Sequence, residues 1–177
     1  AAKETGGYIV LGESDDTYLA AGQTLSRYLE EITGKKFPLE NGDGLEIRLL
    51  KSDSVADNGY VIETAKNKVT ITANGTRGII HGAYAFLEKY CGCDWFTSEL
   101  YSIPENKKLK IPAGEKTEYV PFFEYTDTDW SSPRDVEYSL ANGLNGSPYR
   151  IIPAELGGNV TYISNFAHTL TTEFCAS

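Results

Sequence analysis

Apolar residues return along the first hundred positions with two different periods, and each change of period marks a new element. The short apolar run "GGYIVLGE" (6–13) reads as a buried strand. "SDD" (14–16) then supplies a helix N-cap and acids for a first turn. From there Tyr18, Ala21, Leu25, Tyr28, Leu29 and Ile32 recur at three- and four-residue spacing, which predicts an amphipathic helix stopped by Gly34. "LEIRLLK" (45–51) is a second strand. "YVIETAKNKVTITAN" (60–74) predicts a hairpin, with Val61/Glu63 and Val69/Ile71 on arms around Lys66-Asn67-Lys68. A second helix is expected from about Thr76 to Tyr90, with Ile79, Ala83, Phe86, Leu87 and Tyr90 as its apolar stripe. Gly92 ends it, "CDWFT" (93–97) reads as a strand and "KLKIP" (108–112) as a last short one. This order predicts an α/β (α+β) sandwich, a mixed β-sheet with two helices packed on one face, and not a repeating βα barrel.

The pattern weakens after that. "AGEKTEYVP" (113–121) is polar and ends in proline, as a linker would. "FFEYTDTDW" (122–130) begins like a strand, and "RDVEYSLANGLNG" (134–146) reads as a helix with Val136, Leu140 and Leu144 on one side. The remainder is rich in Gly, Asn, Thr and Pro and reads as the beginning of a further unit. The expected divisions are a sandwich domain over 1–114, a linker over 115–121 and an incomplete unit over 122–177.

Composition narrows the function. Of the 177 residues 41% are hydrophobic and 23% charged, the balance of an ordinary globular chain. No apolar run approaches the length of a membrane span. The net charge of −9, with no basic cluster to offset it, argues against nucleic acid as a partner. Cys91, Cys93 and Cys175 make an odd count and no disulfide framework. The absence of methionine and of a charged-then-apolar leader is what a mature or trimmed chain would show. Glycosylation triplets at Asn74, Asn145 and Asn159 are of a kind common by chance.

Four groups of residues offer chemistry. Cys91-Gly-Cys93 has a one-residue gap, where redox pairs need two residues and structural zinc sites usually take two to four, so the thiols read as small buried hydrophobes. Arg77, His81, Tyr84 and Glu88 fall opposite the apolar stripe of the second helix; such a face is ordinarily solvated, and the alternative is that it docks on a neighbouring domain. Asp127 and Asp129 share one side of an extended segment beside Trp130. Glycoside hydrolysis needs two carboxylates about 5–9.5 Å apart, but neighbours on one segment rarely flank a substrate. His168 and Cys175 lack any third residue to make a nucleophilic set. No phosphate-binding, dinucleotide, zinc-hydrolase or calcium-loop motif occurs, and no metal or cofactor is implied.

Two stretches together resemble a known family. "LSRYLEEITGKKFPL" (25–39) is similar to the opening helix of the accessory N-terminal domain of several glycoside hydrolases. "GYVIETAKNKVTITANGTRGIIHGAYAFLEKYCGCDWFTSEL" (59–100) resembles the hairpin, Arg-Gly helix start and "G-C-x-W-F" strand of the same domain. That domain precedes the catalytic barrel in β-hexosaminidase-like and α-glucuronidase-like enzymes and in related bacterial proteins with an uncharacterised barrel. The resemblance implies a non-catalytic support for a polysaccharide-degrading enzyme in an extracytoplasmic setting, with its own downstream barrel as partner. "FFEYTDT" would be the first strand of a (β/α)8 barrel and "RDVEYSLANGLNG" its first helix. Such a barrel takes about 250 residues, and 57 follow Val120. Thr126 stands where many relatives carry a substrate-gripping arginine. On this reading Arg77, His81, Tyr84 and Trp95 are candidates for interdomain contact, and Asp127, Asp129, Trp130 and His168 for contact with carbohydrate. The alternatives are a carbohydrate-binding module, using Trp95, Tyr101, Tyr125 and Trp130, and a protein-interaction domain with no sugar role.

Overall fold

The computed structural model describes residues 6–128, 131–146 and 152–158. Strand β1 (Gly7–Leu11) leads into helix α1 (Asp16–Thr33), followed by β2 (Leu45–Lys51), β3 (Tyr60–Ala65), β4 (Lys68–Ala73) and helix α2 (Gly75–Cys91). A small ribbon of β5 (Asp94–Trp95) and β6 (Tyr101–Ser102) comes next, then β7 (Lys116–Tyr119) and the short helix α3 (Val136–Ala141).

The main sheet runs in the order β1-β2-β4-β3-β7. β1, β2 and β4 are parallel, while β3 runs antiparallel to β4 and β7 antiparallel to β3. The sheet is therefore mixed, as expected, because α1 carries the chain back for a parallel β1–β2 pair whereas the tight turn at Asn67 permits only an antiparallel one. Ile9, Ile47, Leu49, Ile62, Val69 and Ile71 are buried on one face. Both helices pack there and against each other. All six residues of the predicted α1 stripe are buried. The other face is half-open and polar. Glu46 in its centre accepts from Tyr8 Oη at 2.8 Å and from Arg48 Nε at 3.0 Å, and pairs with Lys68 Nζ at 3.3 Å.

The helix ends follow their signals. Asp15 caps α1 by accepting from the Tyr18 amide, and Gly34 and Gly92 close α1 and α2 with φ of 72° and 76°, a region that glycine enters without steric cost. Three expectations before residue 122 need correction. Residues 108–112 form no strand. "CDWFT" is reduced to the two-residue β5, which pairs with β6 outside the main sheet. Lys116–Tyr119, inside the segment expected as a linker, is the edge strand of the sheet; its polar composition suits an edge that needs backbone pairing on one side alone.

Residues 122–128 are not in a strand. An extended segment becomes a strand only beside a neighbour, and the carbonyls of Phe123 and Glu124 go to side chains instead. Helix α3 is shorter than the 134–146 expected, because Asn142 and Gly143 end it, Gly143 at φ 71°. Among the described residues, no helix is long and apolar enough to cross a membrane.

Candidate functional site

Chemistry-bearing side chains gather along the side of α2 turned away from the sheet, where residues 122–128, 131–146 and 152–158 lie across it. Arg77 enters this seam from the first turn of the helix, a place where the helix dipole disfavours a cation. It is nonetheless only 2% exposed. Its Nη1 donates to the carbonyls of Phe123 and Glu124, both at 3.0 Å, and its Nη2 donates to Thr126 Oγ1 at 3.2 Å. Burial pulls its pKa down from the ordinary arginine value, and its Nε has no hydrogen-bond partner. Asn145 completes the clamp: its side chain donates to the Glu124 carbonyl at 2.7 Å and accepts from the Thr126 amide at 2.8 Å.

One helical turn on, His81 is buried with Nε2 at 3.3 Å from the Leu144 carbonyl. A carbonyl only accepts, so Nε2 carries the proton and Nδ1 is a bare acceptor, without a partner. Burial, reinforced by the Arg77 charge, pushes the His81 pKa down to about 4. A further turn on, Tyr84 meets Trp95 and Tyr28 edge-on, with ring centroids 5.3 and 6.4 Å away, and Tyr28 meets Trp95 at 5.4 Å. Glu137, on α3, anchors to this aromatic group: its carboxylate accepts from Arg27 and Tyr28 of α1 and, at 3.4 Å, from Tyr84 of α2. Burial raises the pKa of both tyrosines well above the ordinary value, so they act as donors. Asn142 donates to the Trp95 carbonyl at 3.1 Å.

The solvated reading of the α2 polar face is thus corrected for three of its four residues. Arg77, His81 and Tyr84 are buried under the chain that follows the sheet, and Glu88 alone stays exposed. Trp95 is buried among the same groups. Of the carbohydrate-contact candidates, Asp127 accepts from Tyr125 Oη at 2.6 Å, while Asp129, Trp130 and His168 lie outside the described residues. Cys91 and Cys93 are both buried; burial pushes the Cys91 thiol up strongly and the Cys93 thiol to about 12, so each packs as a neutral group. Sequence reasoning missed Glu137, Asn142 and Asn145. The signals were weak: Glu137 sits in the first turn of a short helix, and the two asparagines resemble ordinary turn residues.

Comparison with known proteins adds the fold's kinship. No family model matches the chain, and no curated protein matches it. Solved structures do. A GH20 β-N-acetylhexosaminidase from Streptomyces coelicolor A3(2) is 22% identical over 70% of this chain and 24% of its own, with a TM-score of 0.53. A Streptomyces plicatus β-hexosaminidase is 21% identical over 70% of this chain and 24% of its own, with a TM-score of 0.50. A GH115 4-O-methyl-α-glucuronidase with specificity for decorated arabinogalactans is 10% identical over 80% of this chain and 25% of its own, with a TM-score of 0.56. The chain therefore spans about a quarter of the length of these enzymes. It has a fold found within glycoside hydrolases, and the resemblance drawn from residues 25–39 and 59–100 is borne out at that level.

Proposed function

We propose that this chain is a non-catalytic accessory domain of a secreted glycoside hydrolase acting on polysaccharides or other glycans, with residues 1–114 as support and 122–177 as the start of the catalytic barrel. The observation that carries the reading is the Arg77 clamp. The buried guanidinium is engaged by the backbone carbonyls of Phe123 and Glu124 and by the Thr126 hydroxyl, which ties the segment after the sheet to α2. A second feature agrees. Phe122 is 89% exposed and packs edge-on against the exposed Phe123, with ring centroids 4.8 Å apart. Apolar side chains at the head of a segment suit a first barrel strand whose neighbours would cover them. Asp127, meanwhile, has its carboxylate engaged by the neighbouring Tyr125, and Glu137 by tyrosine and arginine donors of the scaffold.

The test is turnover of 4-nitrophenyl β-N-acetylglucosaminide and 4-nitrophenyl α-glucuronide by the purified chain. The expected rate equals that of buffer and is the same for Asp127→Asn. Turnover that Asp127→Asn abolishes would make the chain a small hydrolase and end the accessory reading.

A further inference from the structure

An open trough runs beside α2 between the edge of the sheet and α3. Two hollows that share Glu88 and Asn142 make it up. The larger, about 360 Å³, is walled by Tyr60, Tyr119, His81 and Thr126 among others, and the smaller, about 210 Å³, continues to Asp94 and Phe96. The larger hollow has the size of a small-molecule site.

Its walls have a consistent chemistry. Tyr119 pairs with Tyr60 across β7 and β3, and the two rings stack with centroids 5.1 Å apart and planes 22° apart. Tyr60 is buried and Tyr119 is 36% exposed, so the pair is a supported aromatic surface. Phe96, 55% exposed, marks the other end. Between them the Glu88 carboxylate accepts only. Asn142 directs its amide N–H groups to the Trp95 and Tyr138 carbonyls, which leaves its oxygen to accept. Thr126 Oγ1 accepts from Arg77 and keeps its own proton to donate. Among the described residues no lysine or arginine lines either hollow; Arg77 stands behind Thr126, its guanidinium engaged by that hydroxyl and two carbonyls, and His81 is neutral above its depressed pKa. Acceptors, a donor, an aromatic face and a pair of carboxylates, with the nearest cation buried behind Thr126, fit an uncharged ring that is apolar on its face and rich in hydroxyls at its edge.

We infer that this trough binds a short neutral oligosaccharide, with one sugar ring against Tyr119 and its hydroxyls on Glu88, Asn142 and Thr126. The choice of a sugar among neutral hydroxylated rings rests on the function proposed above; the groove and its charge do not. An anionic glycan is excluded by Glu88 and Asp94. With one stacking surface and few anchors, dissociation constants on the order of 0.1–1 mM are expected.

Calorimetric titration of the chain with cellotriose, chitotriose, xylotriose, laminaritriose and trigalacturonate tests this. At least one neutral trisaccharide should saturate, and trigalacturonate should bind about tenfold more weakly or worse. Tyr119→Ala and Glu88→Gln should each weaken the neutral sugar by about tenfold, while Tyr101→Ala, at a residue that lines neither hollow, changes it by less than about twofold. The exposed Glu88→Gln keeps the test decisive if Tyr119→Ala fails to fold. Absence of saturation by every neutral sugar, binding that survives both substitutions, or equal binding of trigalacturonate would overturn the inference. Aryl-glycoside turnover does not involve this groove, and the Arg77 clamp touches it only through Thr126, which neither substitution alters, so a chain that binds no sugar but keeps its clamp loses the groove alone.

Discussion

Arg77 shows how a single residue can decide whether a helix face is surface or seam. A guanidinium placed at the positive end of a helix and then buried costs free energy that only good acceptors offset. Here two carbonyls and a hydroxyl supply them in the forked geometry that arginine alone matches. Arg77→Lys keeps the charge but loses the fork, and is expected to destabilise the chain by about 2 kcal/mol or more in urea unfolding. His81 makes a pH prediction. Its folded pKa, about 4, lies below the ordinary 6.5, so the folded state binds fewer protons than the unfolded one between those values. Its contribution to stability is full above pH 6.5 and declines as pH falls towards 4. The loss on protonating a buried imidazole beside Arg77 is of order 3 kcal/mol. His81→Gln can still donate to the Leu144 carbonyl without titrating, so its urea midpoint should vary less over that window than the wild type's. Parallel curves would mean that His81 is not held neutral.

Elements were legible where periodicity was strong and supported locally. α1, β2 and the β3–β4 hairpin follow their apolar patterns to within a residue or two, because each carries its own cap or turn, such as Asp15, Gly34 and Asn67. β7 was hidden by its polar composition, since an edge strand that buries little has no apolar period to read. The strand expected at 122–126 had the opposite fault: its pattern is apolar, but no strand lies beside it and Arg77 takes its carbonyls. The α2 stripe located one buried face. The second could not be read, because arginine, histidine and tyrosine line a solvated face and a docked one alike. The docking of α2 on the sheet also depends on close approach at Gly78. A Cβ there would stand 2.3 Å from the Gly59 carbonyl oxygen, which is backbone and cannot step aside. Glycine to alanine within a helix normally stabilises by about 1 kcal/mol. Gly78→Ala is expected to reverse that sign and cost about 1–3 kcal/mol. A rise in the thermal midpoint would show that α2 has more room than this.

Across the whole molecule the helices form the middle layer. The sheet covers one side of them, and the chain that follows covers the other through two anchors, the Arg77 clamp and the Glu137 carboxylate. Ile152, buried in the same core, and Gly157, set against the backbone of Arg77, extend that cover. On the proposed function, this arrangement would have a definite mechanical role. Helices α1 and α2 would then fix the position and direction of the segment proposed to open a catalytic barrel, and the trough at the sheet edge would hold a glycan nearby. The central claim is that the polar face of α2 holds residues 122–128 and 136–146 in place. Amide hydrogen exchange read by mass spectrometry, on the wild-type chain and on Arg77→Met, tests it most directly. The account predicts that peptides covering 122–128 and 136–146 are protected in the wild type and lose protection in Arg77→Met, while β2, β3 and β4 stay protected in both. Free exchange of those peptides in the wild type, or protection that Arg77→Met leaves untouched, would contradict it.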